Sequence, residues 1–462
     1  FGSSHWLATP LHAASQSVAP AFGAQQRPMN EATRVSLRLF ALLAAALGGS
    51  ARALKVSTFG SQPGAPYRQV LRNRQNAQYV GDLLIGGQTI SGLFDTGSVD
   101  LLVRSTRCHS CVHPTAPYNR TSSDTYETWL GPGTIAETTF GSGPCTSVRG
   151  YETVGIGPLV AENQAFYEIV QHQIPVLDIA DFAAIVGMGP NFLGTTVDPS
   201  LLMSFNVTEF SLCLGRPSLS PGYLTLGPEA EAEYKEQHYA QADARGLHHW
   251  ATPMGSVRFM SSYMTSQEVV VCPNEGCGVI VDSGTSLIAA PGEVLAQLAT
   301  SLTPIMEDCS NLHMLPALKF TMDGTEFVLP PEAYTMRITG AVMEADSIWD
   351  ILFFKPRIRR INMCIPAFMQ IDLVSQFGPT WILGMPFFRY YHTTFDRTAR
   401  KMYFAHAGPD CAPQPFYGNA SEPTLAAWHA ELHRGPMELD VKAVMPPALS
   451  SRIGRTAGVV QL

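Results

Sequence analysis

One short pattern occurs twice, and the repetition constrains the fold more than any other feature of the chain. Leu93-Phe94-Asp95-Thr96-Gly97-Ser98 returns as Ile280-Val281-Asp282-Ser283-Gly284-Thr285, with the two Asp residues 187 positions apart. Both copies read apolar-apolar-Asp-Thr/Ser-Gly-Ser/Thr. Each is followed by a second landmark. Ile185-Val186-Gly187 places its Gly 92 residues after Asp95, and Ile382-Leu383-Gly384 places its Gly 102 after Asp282. Average composition yields one Asp-Ser/Thr-Gly-Ser/Thr in roughly a few per cent of chains of this length. Two copies with matched downstream partners point to an internal duplication.

The flanking texture is that of strands and tight turns. Tyr79 to Ile85 alternates as a strand, Gly86-Gly87 turns it, and Ile90 to Phe94 runs directly into Asp95. Gly222 to Gly227 has the same character, as does Leu318 to Met322 with the turn Asp323-Gly324. Long periodic helices are few. The pattern predicts an all-β chain with two related lobes, 76–250 and 251–408.

One Asp from each of two related halves suits a particular chemistry. A water molecule held between two carboxyls can attack a peptide carbonyl if one carboxyl is ionised and the other protonated. Carboxyls about 3 Å apart cannot both ionise, so they share a proton. Asp95 and Asp282 are the candidate catalytic pair. Gly97 and Gly284 let backbone approach the carboxylates. The Thr96 and Ser283 hydroxyls can bond across to the opposite loop, and Ser98 and Thr285 can bond the outer carboxylate oxygens.

These residues resemble the pepsin family of aspartic proteases over about Asn76 to Ala405. Phe94 to Ser98 and Val281 to Leu287 are similar to its two active-site signatures. Trp381-Ile382-Leu383-Gly384 with Phe395-Asp396-Arg397 resembles its C-terminal block, and Pro316 to Phe320 another of its strands. The resemblance implies a bilobal fold, an interlobe cleft for an extended peptide, and a β-hairpin flap over it. The flap falls at Thr139-Phe140-Gly141-Ser142-Gly143. Phe140 stands where the family usually has Tyr, and Leu102 where it usually has Trp. That Tyr and Trp normally bond to each other, so the joint change orphans no polar group. The Phe flap with Gly143-Pro144-Cys145 resembles plasmepsin-type enzymes of apicomplexan parasites. Phe140 and Leu102 would shape an apolar pocket, favouring a large apolar residue just before the scissile bond.

The resemblance also implies three disulfides: Cys108–Cys111, Cys272–Cys277 and Cys309–Cys364. It leaves Cys145, Cys213 and Cys411 over. Cys213 reads as a buried thiol within Phe210 to Leu214, and a Cys145–Cys411 bond stays open. Cys108-His109-Ser110-Cys111-Val112-His113 could hold zinc, but a disulfide is the expectation in a secretory chain. No metal and no cofactor are expected.

Residues 1–53 read as a leader. Arg34 and Arg38 precede the apolar run Leu39 to Leu47, and small residues follow through Ala53, as in a secretory signal. Residues 54–75 read as a propeptide-like segment, short for a family self-inhibitory prosegment, so activation is expected to be unusual or absent. Residues 409–462, with seven prolines and little strand pattern, read as a C-terminal extension. It is expected to be mobile, with a possible amphipathic helix near Leu425–His433. Sequons at Asn119, Asn206 and Asn419 are glycosylation candidates. A net charge of −8 without a basic block argues against nucleic acid as a partner. The expected partner is a protein or peptide substrate, the expected state a monomer without a stable membrane span, and the expected location the secretory pathway. A non-catalytic binding protein on the same fold would usually have lost an Asp or Gly of either motif, and neither is lost. No Gly-x-Ser-x-Gly elbow or convincing Cys context suggests a serine or cysteine peptidase.

Overall fold

The computed structural model describes residues 66–416 and 436–440, apart from 110, 113, 193–197, 261–268, 273–275, 302–303 and 345–356. The fold is all-β and bilobal. Each lobe contains the same local device around its Asp motif. Strand Gln88–Asp95 runs parallel to Ala184–Gly187, and Leu101–Arg104 lies antiparallel on that strand's other side. In the second lobe, Cys277–Val281 runs parallel to Gly378–Leu383, with Ile288–Ala290 antiparallel on the far side. The chain therefore leaves one strand, forms the Asp loop, and returns with another strand inserted between.

This arrangement explains the downstream landmarks. Ala184–Gly187 is buried throughout, as a strand flanked on both edges requires. A Cβ on Gly187 would stand 2.2 Å from the Val99 carbonyl carbon, and one on Gly384 would stand 2.1 Å from the Leu287 oxygen. Only glycine lets the inserted strand end against the Asp loop.

A six-strand antiparallel run joins the lobes. Its order is Ala240–Asp243, Lys401–Ala407, Tyr391–Asp396, Glu209–Leu214, Gly222–Leu226 and Tyr67–Arg74. Strands from near both ends of the folded region thus share one sheet. Phe210 is opposite Phe395 in register, and their rings stack at 4.8 Å. Trp250, fully buried, packs on Phe395 at 5.0 Å.

Two segments outside the expected lobes are built into the sheets. Tyr67–Arg74 lies inside the segment expected to be propeptide-like, yet it is a sheet strand paired with Gly222–Leu226 and with Gln78–Ile85. A two-residue alternation interrupted by charge hid it: Arg68, Arg72 and Arg74 point outward, and Arg72 pairs with Asp82 at 2.7 Å. The C-terminal extension is also partly built in. Pro413–Gln414 pairs with His406 and Ala407, and Phe416 stacks on His406 at 5.2 Å. Met437–Asp440 lies parallel on Thr335–Glu344, whose other neighbour is Arg357–Pro366. Leu425–His433 and Asn419 fall outside the described residues.

Cys213 is not a free thiol. It is bonded to Cys411, 198 residues away, while Cys145 is the free, buried cysteine among the described residues. The sheet order causes this pairing. Glu209–Leu214 and Lys401–Ala407 flank the same strand, so Cys411, just past the latter, reaches Cys213. The other bonds are Cys108–Cys111, Cys272–Cys277 and Cys309–Cys364.

Replacing Cys213 and Cys411 with Ser should lower stability by about 2–5 kcal/mol, measured by denaturant unfolding. A second expectation concerns acid. Burial, with a smaller contribution from the Arg216 charge, pushes the His406 imidazole down to about 4. The unfolded chain then binds more protons than the folded one below the ordinary histidine range. Stability present above about pH 6.5 is lost as the pH falls towards 4, by roughly 2–3 kcal/mol. His406→Phe should remove that part of the loss, which urea unfolding at the two pH values would read.

Candidate active site

The two Asp loops meet at the centre of the molecule. Asp95 ends its strand and Asp282 directly follows the corresponding one, and each is only 8% exposed. Hydrogen bonds tie the loops together reciprocally. Thr96 Oγ1 donates to the Val281 carbonyl at 2.9 Å and accepts from the Ser283 N–H at 2.9 Å. Ser283 Oγ donates to the Phe94 carbonyl at 2.6 Å and accepts from the Thr96 N–H at 3.1 Å. Each hydroxyl is buried and uses both its donor and an acceptor site, so neither can rotate without orphaning a backbone group.

The carboxylates are supported with the same symmetry. Asp95 Oδ1 accepts from the Gly97 N–H at 3.0 Å, and Oδ2 from Ser98 Oγ at 2.5 Å. Asp282 Oδ1 accepts from the Gly284 N–H at 2.7 Å, and Oδ2 from Thr285 Oγ1 at 2.6 Å. The glycines also face the opposite carboxyl. A Cβ on Gly284 would lie 2.2 Å from Asp95 Oδ1, and one on Gly97 would lie 2.7 Å from Asp282 Cγ. Burial raises the Asp95 pKa well above the usual carboxylate range, and the charge and hydrogen bond of Asp282 raise it further.

The eukaryotic aspartyl protease family model matches residues 78–407, spanning both loops and five of the six strands of the shared sheet. This chain belongs to the eukaryotic aspartyl protease family. It is similar to cathepsin D of Chionodraco hamatus, 30% identical over 359 residues that cover 74% of this chain and 84% of the relative. It is 28% identical to rat cathepsin D and 27% identical to human cathepsin D, again over 74% of this chain and 83% and 84% of the relatives. As a member of this family the protein is an aspartic-type endopeptidase, which acts on peptide substrates.

Other candidate residues of this aspartyl protease lie further out. Phe140 ends strand Ile135–Phe140, which pairs with Gly143–Ile156, so Phe140, Gly141 and Ser142 form the tip of a hairpin. Gly141 and Ser142 are exposed, while Phe140 is half-buried against the core. Leu102 is buried in that same core, opposite Ile185 and Tyr167. Asn119 is half-buried and its side-chain oxygen accepts from Thr121, and Asn206 is exposed in a left-handed turn. Cys108 and Cys111 are joined to each other, and His113 lies outside the described residues. No helix among the described residues is long and apolar enough to cross a membrane.

Two neighbours of the loops were not legible in the sequence. Ser286 Oγ donates to the Ala77 carbonyl at 2.6 Å, locking the Asp282 loop to the turn before Gln78–Ile85. His249 Nδ1 lies 2.9 Å from the Gly97 carbonyl oxygen. Neither belongs to a local pattern, since each partner is more than a hundred residues away.

Thr96→Val should orphan the Ser283 N–H and the Val281 carbonyl and cost about 2–4 kcal/mol by denaturant unfolding. Gly284→Ala should displace the Asp95 carboxyl and lower kcat for peptide hydrolysis about a hundredfold.

Proposed function

We propose that Asp95 and Asp282 form the catalytic dyad of this endopeptidase. The observation that carries the reading is the pair of buried carboxyls, each facing the other loop's glycine, with the Asp95 carboxyl raised well above the usual carboxylate range. A water between them attacks the scissile carbonyl carbon. Its proton passes to Asp282, while the Asp95 proton moves to the carbonyl oxygen, giving a neutral gem-diol. Reversal of these transfers delivers a proton to the leaving nitrogen and breaks the C–N bond. The fixed hydroxyl and N–H donors hold the carboxylates in position throughout, so little reorganisation accompanies the reaction.

In this reading the substrate is an extended peptide covered by the Phe140 to Ser142 hairpin tip. Phe140 and Leu102 favour a large apolar side chain just before the scissile bond. The Phe140 tip and Gly143-Pro144-Cys145 support a plasmepsin-type enzyme within the family. Four disulfides suit an oxidising compartment, which supports a secretory location for a monomer.

Cleavage of a quenched fluorescent peptide library between about pH 3.5 and 7 tests the dyad. Asp95→Asn and Asp282→Asn should each lower kcat/KM by roughly 10²–10⁴. Activity should persist above the ordinary Asp range and fall as the raised Asp95 carboxyl loses its proton. Folded, processed protein that cleaves nothing would favour a peptide-binding role, and cleavage surviving both substitutions would require another nucleophile.

A further inference from the structure

The loop joining the lobes lies directly under the Asp95 loop. It is held at both ends: the Arg245 and Gly246 N–H groups donate to the Ala251 carbonyl, and the Val281 N–H donates to the Trp250 carbonyl. Between these points, the Leu247 carbonyl accepts from the Phe192 N–H at 3.0 Å. Buried Trp250 anchors the loop through its indole N–H, which donates to the Met188 carbonyl at 2.9 Å. The Met188 N–H in turn donates to the Asp95 carbonyl at 2.8 Å. His249, the residue before this anchor, is exposed, and its ring nevertheless reaches the Gly97 carbonyl.

Gly97 faces the Asp282 carboxyl, whose carbon would lie 2.7 Å from a Cβ placed there. An exposed imidazole fixed there stands beside the dyad. Its tautomer follows from its partner. A carbonyl oxygen only accepts, so Nδ1 carries the proton, and the ring gains or loses its second proton at Nε2. That nitrogen has no protein partner among the described residues. Neutral His249 therefore presents an acceptor to a bound peptide, and protonated His249 presents a cationic N–H. The charged groups on the elements around this loop are Asp95 and Asp282, Asp100 further along the first loop, and His248. Arg245 is paired with Asp323 at 3.0 Å, and Arg400 covers the Phe192 ring.

We propose that His249 is a specificity-determining residue, favouring substrates with a carboxylate side chain close to the scissile bond. The proposal rests on the endopeptidase reading above and adds a polar preference to the apolar one expected from Phe140. The protonated ring would meet a substrate carboxylate with a charge-assisted N–H···O bond. The fixed loop makes the preference positional, since the ring cannot follow a carboxylate along the cleft.

The test is kcat/KM for matched quenched peptides carrying Glu or Gln at each position near the cleaved bond, at about pH 5 and about pH 7. Wild type should prefer Glu about fivefold at one position at the lower pH. His249→Gln should bring the ratio to one at both. His249→Arg should keep it at both, because guanidinium stays charged. The ratio is internal to each enzyme, so a partly folded variant does not distort it. A Glu preference that survives His249→Gln, or wild type cutting every pair equally, would overturn the proposal while leaving the endopeptidase intact. Wild type cutting none of the peptides would overturn both.

Discussion

The architecture depends on four hydrogen bonds made by two hydroxyls, those of Thr96 and Ser283. Each joins the backbone of one lobe's Asp loop to the other's, and all four lie in the buried centre. Buried polar groups of this kind are costly when half-satisfied and rigid when complete. Here every donor has its acceptor, so the two loops behave as one unit. The spacing of Asp95 and Asp282 is set by this lock rather than by either lobe alone.

That rigidity is what allows two carboxyls to be buried together. Removing a carboxylate from water is expensive, and a second one nearby adds repulsion. The molecule offsets this with two donors per carboxylate. The supporting hydrogen bonds are nearly symmetric, yet Asp95 is clearly shifted towards its protonated form.

The shared sheet carries the lock. Because Tyr391–Asp396 and Lys401–Ala407 return to pair beside Glu209–Leu214, the lobes cannot separate without breaking a continuous ladder. The same sheet brings Cys411 to Cys213 and Phe416 onto His406, so the beginning of the C-terminal extension is part of the body. The stacked, buried His406 sits in an environment that resists charge, a source of acid sensitivity lying in the inter-lobe sheet rather than in the dyad.

Much of this was legible in the chain because the relevant chemistry is local. The Asp, its Thr or Ser, the following Gly and the next hydroxyl are contiguous, and the duplication announces that two such loops must meet. Apolar-apolar-Gly was visible as a repeat, although its steric purpose appears only when Gly187 and Gly384 end against the Asp loops. The strand Tyr67–Arg74 was masked by its outward arginines, and Met437–Asp440 is too short to show a period. The Cys213–Cys411 bond, the His249 contact with Gly97 and the Asp95 shift had no local signature at all. The all-β duplicated fold and its two candidate carboxyls can be read from the chain directly, because they are written in adjacent residues. The tertiary structure alone decided which distant groups share a buried space, because sheet order and burial, unlike turn and strand chemistry, are properties of the whole packed chain.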